Sequence, residues 1–224
     1  MSENLLRMQQ IKVNKDTTSI IPSVEMYKYN DKKSYLIFKR VFDILVATMA
    51  SVFLAVPMII IAILIKIDSP GPVIYSQERL GKNGKPFIMY KFRSMHNNAE
   101  ENGCQWAVEN DDRCTRIGKV IRLFRVDELP QLWNILKGDM SVVGPRPERA
   151  YFYGIFKKDI PHFEARLNVL PGVTGLAQVS GGYDLLPTEK IVYDIEYMAK
   201  QSLWLDFVCV LKTFPIIFNH KGAR

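Results

Sequence analysis

The sequence predicts an α/β protein of the α+β kind, mostly helical with a small β-hairpin or sheet, forming one domain carried on an N-terminal membrane helix. Three observations predict it. An uncharged run of 22 residues, Ile44 to Ile65, would be roughly 33 Å long as a helix at about 1.5 Å per residue, which is bilayer length. Two strand-like runs, IYSQERLG and KPFIMYKF, flank the Asn-Gly pair at 83 and 84, a hairpin signal. Apolar residues then recur at helical spacing from Ile117 onward.

Composition bounds the class. The 224 residues are 48% hydrophobic and 24% charged, enough apolar material for one sizeable core. Thirteen Gly and twelve Pro are near ordinary usage, so collagen-like, low-complexity and disordered classes are excluded. Cys104, Cys114 and Cys209 are too few and too irregularly spaced for a disulfide framework or a C-x-x-C metal site, and read as reduced thiols facing a cytosol. Lys and Arg number 30 against 23 Asp and Glu, a net charge of +7 and a pI near 9.2. Such a chain favours anions: nucleic acid, anionic lipid headgroups or phosphorylated small molecules.

Taken in order, residues 1–35 are mixed polar, without clear periodicity, and are expected to form a loosely ordered arm. Residues 36–67 hold the apolar run. It starts too far in and lacks the cleavage site of a secretory signal, and it has no polar stripe, as a soluble core helix would. Basic residues flank both ends, Lys32, Lys33, Lys39 and Arg40 before it and Lys66, Arg79, Lys82 and Lys85 after it. The positive-inside bias therefore gives no orientation, and both ends fit on one side. Pro57 lacks the N–H that would donate to Phe53 and kinks a helix. These features leave a re-entrant hairpin and a kinked span equally open.

Residues 68–224 are expected to form the folded domain. SPGPV at 69–73 is a turn, and Gly81 with Gly84 reads as hairpin turn chemistry rather than a phosphate loop. Glu100 to Asp112 is acidic and polar, a surface loop. Ile117, Val120, Ile121 and Phe124 form one helical stripe, and Leu129, Leu132, Trp133 and Leu136 a second, stopped by Gly138. VVGPRPE at 142–148 and LPGVTGLAQVSG at 170–181 read as shaped loops, and helix returns from Thr188 to Lys200. The apolar stretch from Ser202 to Phe218 fits either an interfacial helix or one packed on the core.

Chemistry concentrates near residue 127. Five basic residues, Arg113, Arg116, Lys119, Arg122 and Arg125, lead into Asp127 and Glu128, and Arg146 is clamped between Pro145 and Pro147. Prolines on either side stiffen the backbone, so less entropy is lost when the guanidinium grips a ligand. Guanidinium suits phosphate oxygens by its bidentate geometry. Taken singly, each Arg reads as a solvated surface charge and Asp127 as the N-cap of a helix starting at Glu128. An ionised Asp beside a bound phosphoryl group can also attack phosphorus to form an aspartyl phosphate, and Glu128 could hold Mg²⁺. No serine elbow, H-E-x-x-H, Walker A loop or G-x-G-x-x-G occurs, and His96, His162 and His220 lie far apart.

KFRSM at 91–95, VDELPQLWNILKGDMSVVGPRPE at 126–148 and LPGVTGLAQVSG from 170 resemble the bacterial sugar transferases, the monotopic polyprenyl-phosphate phosphoglycosyl transferases, over about Phe38 to Thr213. The resemblance is to the short form. It implies transfer of a sugar 1-phosphate from a UDP-sugar to undecaprenyl or another polyprenyl phosphate, with release of UMP, the first membrane step of exopolysaccharide, capsule or glycoconjugate synthesis. It implies Asp127 as the nucleophile forming a phosphosugar-aspartyl intermediate and Glu128 as the adjacent acid that binds Mg²⁺, the cofactor. Arg122 and Arg146 would contact phosphates or nucleotide, and Lys91, Arg93 and Glu148 would join them in binding substrate.

The resemblance also implies a re-entrant helix broken at the proline, matching Pro57, although Val56 stands where some members have serine. It places the enzyme on the bacterial inner membrane with its catalytic domain facing the cytosol. Phe124-Arg125-Val126 replaces the more usual small polar and leucine residues before the acid pair, adding a cation near the nucleophile. Implied partners are the UDP-sugar, polyprenyl phosphate and membrane lipid, with a homo-oligomer left open. Nucleic acid is not expected, since the basic residues lack interleaved aromatics. A different class, a membrane-tethered adaptor that binds phosphorylated ligands without turning them over, would not need the adjacent Asp127 and Glu128.

Overall fold

The computed structural model describes residues 30–101, 103–105, 111–182 and 185–219. Most of the expected N-terminal arm, and residues 102 and 106–110 of the expected acidic loop, lie outside them. Helix α1 runs from Lys33 to Asp68, 36 residues with Pro57 inside and continuous through it, roughly 54 Å at about 1.5 Å per residue. Its middle is bare of protein: Val52 is 70% and Phe53 76% exposed. Its ends are not. Lys39, Asp43 and Ala47 are buried near the start and Ile65 near the finish.

Strands β1 (Ile74–Leu80) and β2 (Pro86–Phe92) pair antiparallel, Leu80 opposite Pro86 and Ile74 opposite Phe92. The turn between them holds Asn83 at φ 58° and Gly84 at φ 71°, the left-handed conformations that an Asn-Gly pair adopts at least strain. Helix α2 (Arg116–Leu123) is N-capped by Thr115, whose hydroxyl accepts from the Gly118 amide at 2.9 Å. A 3-10 turn, Val126–Glu128, precedes α3 (Gln131–Lys137), which Gly138 ends at φ 97°.

Here the structure departs from the sequence reading in two ways. Only Ile121 of the first stripe is fully buried, whereas Val120, Leu123, Phe124 and, on α3, Trp133 are exposed. Asp127 caps no helix: it sits inside the 3-10 turn, and α3 begins four residues later behind Pro130.

The expected loops at 142 and 170 begin instead as two short parallel strands, β3 (Ser141–Val143) and β4 (Gly172–Thr174). Three residues are too few to show a period. Glycine makes the pairing possible: a Cβ on Gly144 would fall 2.4 Å from the Leu170 carbonyl, and one on Gly172 2.1 Å from the Gly144 nitrogen. Residues 150–168, where the sequence suggested only a turn at Pro161-His162, form α4 (Ala150–Asp159), that turn, with His162 at φ 59° and exposed, and a 3-10 segment, Phe163–Asn168. Phe152, Tyr153, Phe156 and Phe163 pack together there in the core, Phe152 stacked on Phe156 and Phe156 edge-on to Phe163.

Helix α5 (Leu176–Ser180), α6 (Pro187–Ala199) and α7 (Leu203–Asn219) complete the order. On α7, Asp206 and Cys209 are buried while Trp204, Phe207, Leu211 and Phe214 are exposed. The helix thus packs on the core by one face and presents an apolar stripe on the other.

A buried polar network ties α1 to this body. Lys39 Nζ lies 2.8 Å from Asp206 Oδ2, and the Tyr197 hydroxyl lies 2.7 Å from Asp206 Oδ1 and 3.0 Å from the Val143 carbonyl. Asp43 Oδ1 accepts from the Val142 amide and the Ser141 hydroxyl, both at 2.9 Å. Arg40 donates to the carbonyls of Ile135 and Leu136 at the end of α3. Removing one partner of a buried pair strands the other charge. Lys39→Met is therefore expected to destabilise by about 3–5 kcal/mol in denaturant titrations in detergent, and Lys39→Met with Asp206→Leu to recover a good part of that loss.

Candidate active site

Four segments meet at the acid pair. Strand β2 contributes Lys91, α2 contributes Arg122, the 3-10 turn holds Asp127 and Glu128, and the chain leaving β3 carries Arg146 and Glu148. All of these, with Arg93, line one cleft of about 400 Å³. The structure thus gathers every site residue expected from the sequence in one place; Pro57 lies on α1, apart from it.

Glu128 is the hub. It accepts from Lys91 Nζ at 2.8 Å on Oε1, from Arg146 Nη1 at 3.1 Å on Oε2, and from Arg146 Nη2 on Oε1. Asp127 is equally buried but loosely held: its nearest ionic partner is Lys91 Nζ at 3.8 Å, beyond hydrogen-bond length. The two carboxyls diverge in acidity. Burial works against the Glu128 charge, yet the Arg146 and Lys91 cations hold the group well below the usual carboxylate range. Burial raises Asp127; Lys91 opposes that shift and the neighbouring Glu128 charge adds to it. Two adjacent acids pushed apart by their surroundings take different tasks, one fixed as an anion and the other a stronger base.

The remaining residues divide by what they touch. Arg146 owes its aim to the Gly144 approach and to Arg166, whose Nη2 donates to the Arg146 carbonyl at 3.1 Å. Glu148 lies 3.6 Å from Arg79, which also donates to the Pro147 carbonyl. Arg93 lines the cleft but directs its guanidinium at the end of α1, donating to Ser69 O and Pro70 O at 2.7 Å and Ser69 Oγ at 2.9 Å. It thereby fixes the helix end to the chain just past the strand that carries Lys91.

Patterning missed Lys190, on α6, and Arg149, which pairs with Glu100 at 2.7 Å; both line the cleft. Lys190 stands at helical spacing and gave no signal. Arg149 follows directly on the Pro-Arg-Pro-Glu run, which was its only cue.

Among the described residues no group of three or more His, Cys, Asp or Glu could hold a metal ion. Magnesium asks less: one or two carboxylates, with water and substrate phosphate completing the shell. A carboxylate offers about four lone-pair sites; Lys91 and Arg146 fill three on Glu128, and Asp127 has its oxygens largely open. The pair fits Mg²⁺ shared with a phosphate.

The family described as bacterial sugar transferase matches residues 34–220. The chain is 48% identical over 193 residues to the UDP-N-acetylgalactosamine-undecaprenyl-phosphate N-acetylgalactosaminephosphotransferase of Aeromonas hydrophila, covering 85% of this chain and 46% of that protein. It is 40% identical over 190 residues to the UDP-glucose:undecaprenyl-phosphate glucose-1-phosphate transferase of Caulobacter vibrioides, covering 83% and 71%. Against the enzyme of that same description from Escherichia coli it is 35% identical over 208 residues, covering 91% and 45%. The chain spans about half the length of the Aeromonas and Escherichia relatives.

The raised Asp127 carboxyl has a consequence for stability. Protonated Asp127 suits its burial, so the stability it contributes is complete below the unfolded value and is lost as pH rises through the higher folded value. Asn mimics the protonated form. Asp127→Asn should melt at a higher temperature than the native chain at pH 7, with the difference vanishing below pH ~4, the ordinary aspartate range, in thermal scans across pH.

Proposed function

The chain belongs to the bacterial sugar transferase family, and on that premise we propose that it transfers a sugar 1-phosphate from a UDP-sugar to undecaprenyl or another polyprenyl phosphate, releasing UMP. The observation that carries this reading is the acid pair: a loosely held, buried Asp127 facing a cation-lined cleft beside a Glu128 locked as an anion by Lys91 and Arg146.

In the first step an Asp127 carboxylate oxygen attacks the phosphorus that bears the sugar. The bond from that phosphorus to the UMP oxygen breaks, and UMP departs with the electron pair. In the second, an oxygen of the polyprenyl phosphate attacks the same phosphorus, the acyl phosphate bond breaks, and Asp127 returns as a carboxylate. Two phosphate anions repel each other, so dividing the transfer lets each meet the cations in turn. Raised basicity makes Asp127 the better nucleophile once ionised, and Lys91, Arg122 and Arg146 favour that ionisation. Mg²⁺, when bound, would neutralise phosphate oxygens, with Glu128 holding it beside Asp127.

Membrane placement is part of the proposal. Residues 36–67 form the membrane segment and 68–224 the catalytic domain at the cytosolic face of the bacterial inner membrane, where UDP-sugars are found. Both ends of α1 dock on one body, Asp43 at β3 and Ser69 under Arg93. That supports both flanks of α1 lying on the same side of the membrane. The exposed apolar residues of α7 and of α2 suit the headgroup boundary beside it.

The test combines purified protein, undecaprenyl phosphate, Mg²⁺ and a panel of UDP-sugars. UMP should appear with at least one donor and disappear with Asp127→Asn; release near the native rate from a folded Asp127→Asn would remove Asp127 as nucleophile. Arg146→Lys keeps the charge but loses the planar fork on Glu128, and should lower turnover about 100-fold, the scale of losing one preorganised charge-stabilising group.

Topology has its own readout. With the three native cysteines replaced by alanine, Lys33→Cys and Lys82→Cys should both escape an impermeant thiol reagent added to sealed cells. Reaction at only one of them would mean a crossing helix.

A further inference from the structure

Strand β2 pairs with β1 along one edge only. A two-stranded ribbon is barely stable by itself, and the second edge of β2 presents backbone groups that need partners. Against that edge stands Asn134, in the middle of α3 and 0% exposed. Its Oδ1 accepts from the Tyr90 amide at 3.1 Å, and its Nδ2 donates to the Ile88 carbonyl at 2.7 Å. Backbone groups two residues apart on a strand point the same way, so one planar amide meets both, as the peptide of a third strand would. The residue type matters. An amide offers a donor and an acceptor side by side, whereas leucine of similar size offers neither and an ionised aspartate only accepts.

What this fixes in place is the acid pair. The next residue along β2 is Lys91, whose Nζ lies 2.8 Å from Glu128 Oε1 and 3.8 Å from Asp127 Oδ2. Glu128 precedes Asn134 by six residues, on the 3-10 turn that runs into α3. Strand, amide, helix and acid turn therefore close a ring, and the Lys91–Glu128 bond is its last link. Side chains alternate across a strand, so a slip of β2 past α3 by one residue would turn Lys91 away from both acids. The carbonyl of Asn134 serves the opposite side of the site. It accepts from the amides of Gly138, Asp139 and Met140 at 3.1, 3.0 and 3.2 Å, which folds the chain out of α3 and into β3, toward Arg146.

We infer that Asn134 is a positioning residue for the reaction: its amide stands in for a missing strand on β2 and sets Lys91 within reach of Glu128 and Asp127. The inference rests on the transferase reading and deepens it, since Asn134 is too deeply buried to touch a substrate and acts through Lys91 alone. A purely structural role would loosen the whole fold; a positioning role loosens one lysine.

Amine acetylation of the purified full chain in detergent, read lysine by lysine by mass spectrometry, separates the two. The Lys91 side chain is 18% exposed, so the reagent can reach it. In Asn134→Leu it should react about tenfold faster than in the native chain, the scale of losing one hydrogen bond to a charged group. Lys39, buried against Asp206, should keep its native rate. Asn134→Asp keeps the shape but sets a carboxylate against the Ile88 carbonyl in alkaline buffer; it should behave alike and serves where Asn134→Leu does not fold. An unchanged Lys91, or a Lys39 accelerated by the same factor, overturns the inference. Turnover adds a second test: Asn134→Asp and Lys91→Met should each slow UMP release, and the double variant should stay within about twofold of Lys91→Met alone. Effects that multiply would mean that Asn134 does not act through Lys91. Because labelling needs no turnover, a failed transferase reading shows separately, as native protein with a protected Lys91 that releases no UMP from any donor.

Discussion

Everything at this site depends on a single buried anion. Glu128 takes a lysine from β2 and an arginine from the loop beyond β3, so one carboxylate joins three segments that are far apart along the chain. The attraction is strong because the group is out of water, and for the same reason neither cation could stay there without it. Its neighbour inherits the opposite condition. With Lys91 and Arg146 turned toward Glu128, Asp127 is left buried with weak compensation, and its acidity falls. The divergence between two adjacent acids is therefore built by packing.

The frame around that anion is held at two further points, both involving α1. At one end Lys39 and Asp43 reach Asp206 and the backbone of β3, the strand that leads to Arg146. At the other, Arg93, one residue past the end of β2 and two from Lys91, grips Ser69 and Pro70. The long apolar helix is thus joined to β3 and to the end of β2, the strands that lead to Arg146 and carry Lys91. Its bare middle and the apolar stripe of α7 are large stretches of exposed hydrophobic surface.

Much of this was legible in the residues. The Asn-Gly turn fixed the hairpin, and Gly138 the end of α3, because each requires a left-handed backbone that few other residues adopt. The charge pattern and the Pro-Arg-Pro run pointed to Asp127, Glu128 and Arg146, which do meet in space. What stayed hidden has physical reasons. Strands of three residues at β3 and β4 have no period to detect, and their pairing rests on glycines read as loop punctuation. The aromatic residues of α4 belong to the core through partners distant in sequence. Asp127 looked like a cap because Asp is favoured just before a helix; it lies instead inside a 3-10 turn, four residues before α3 begins. Arg93 read as a ligand contact, and its hydrogen bonds run instead to the end of α1.

The central claim is that Asp127 carries the phosphosugar between donor and acceptor. Intact mass spectrometry of the protein incubated with Mg²⁺ and its UDP-sugar, without polyprenyl phosphate, tests it most directly. The account predicts a population heavier by one sugar phosphate, mapped by proteolysis to the peptide holding Asp127 and discharged when undecaprenyl phosphate is added. Unmodified protein under conditions where the complete reaction releases UMP would contradict it, and would point to direct transfer between the two substrates.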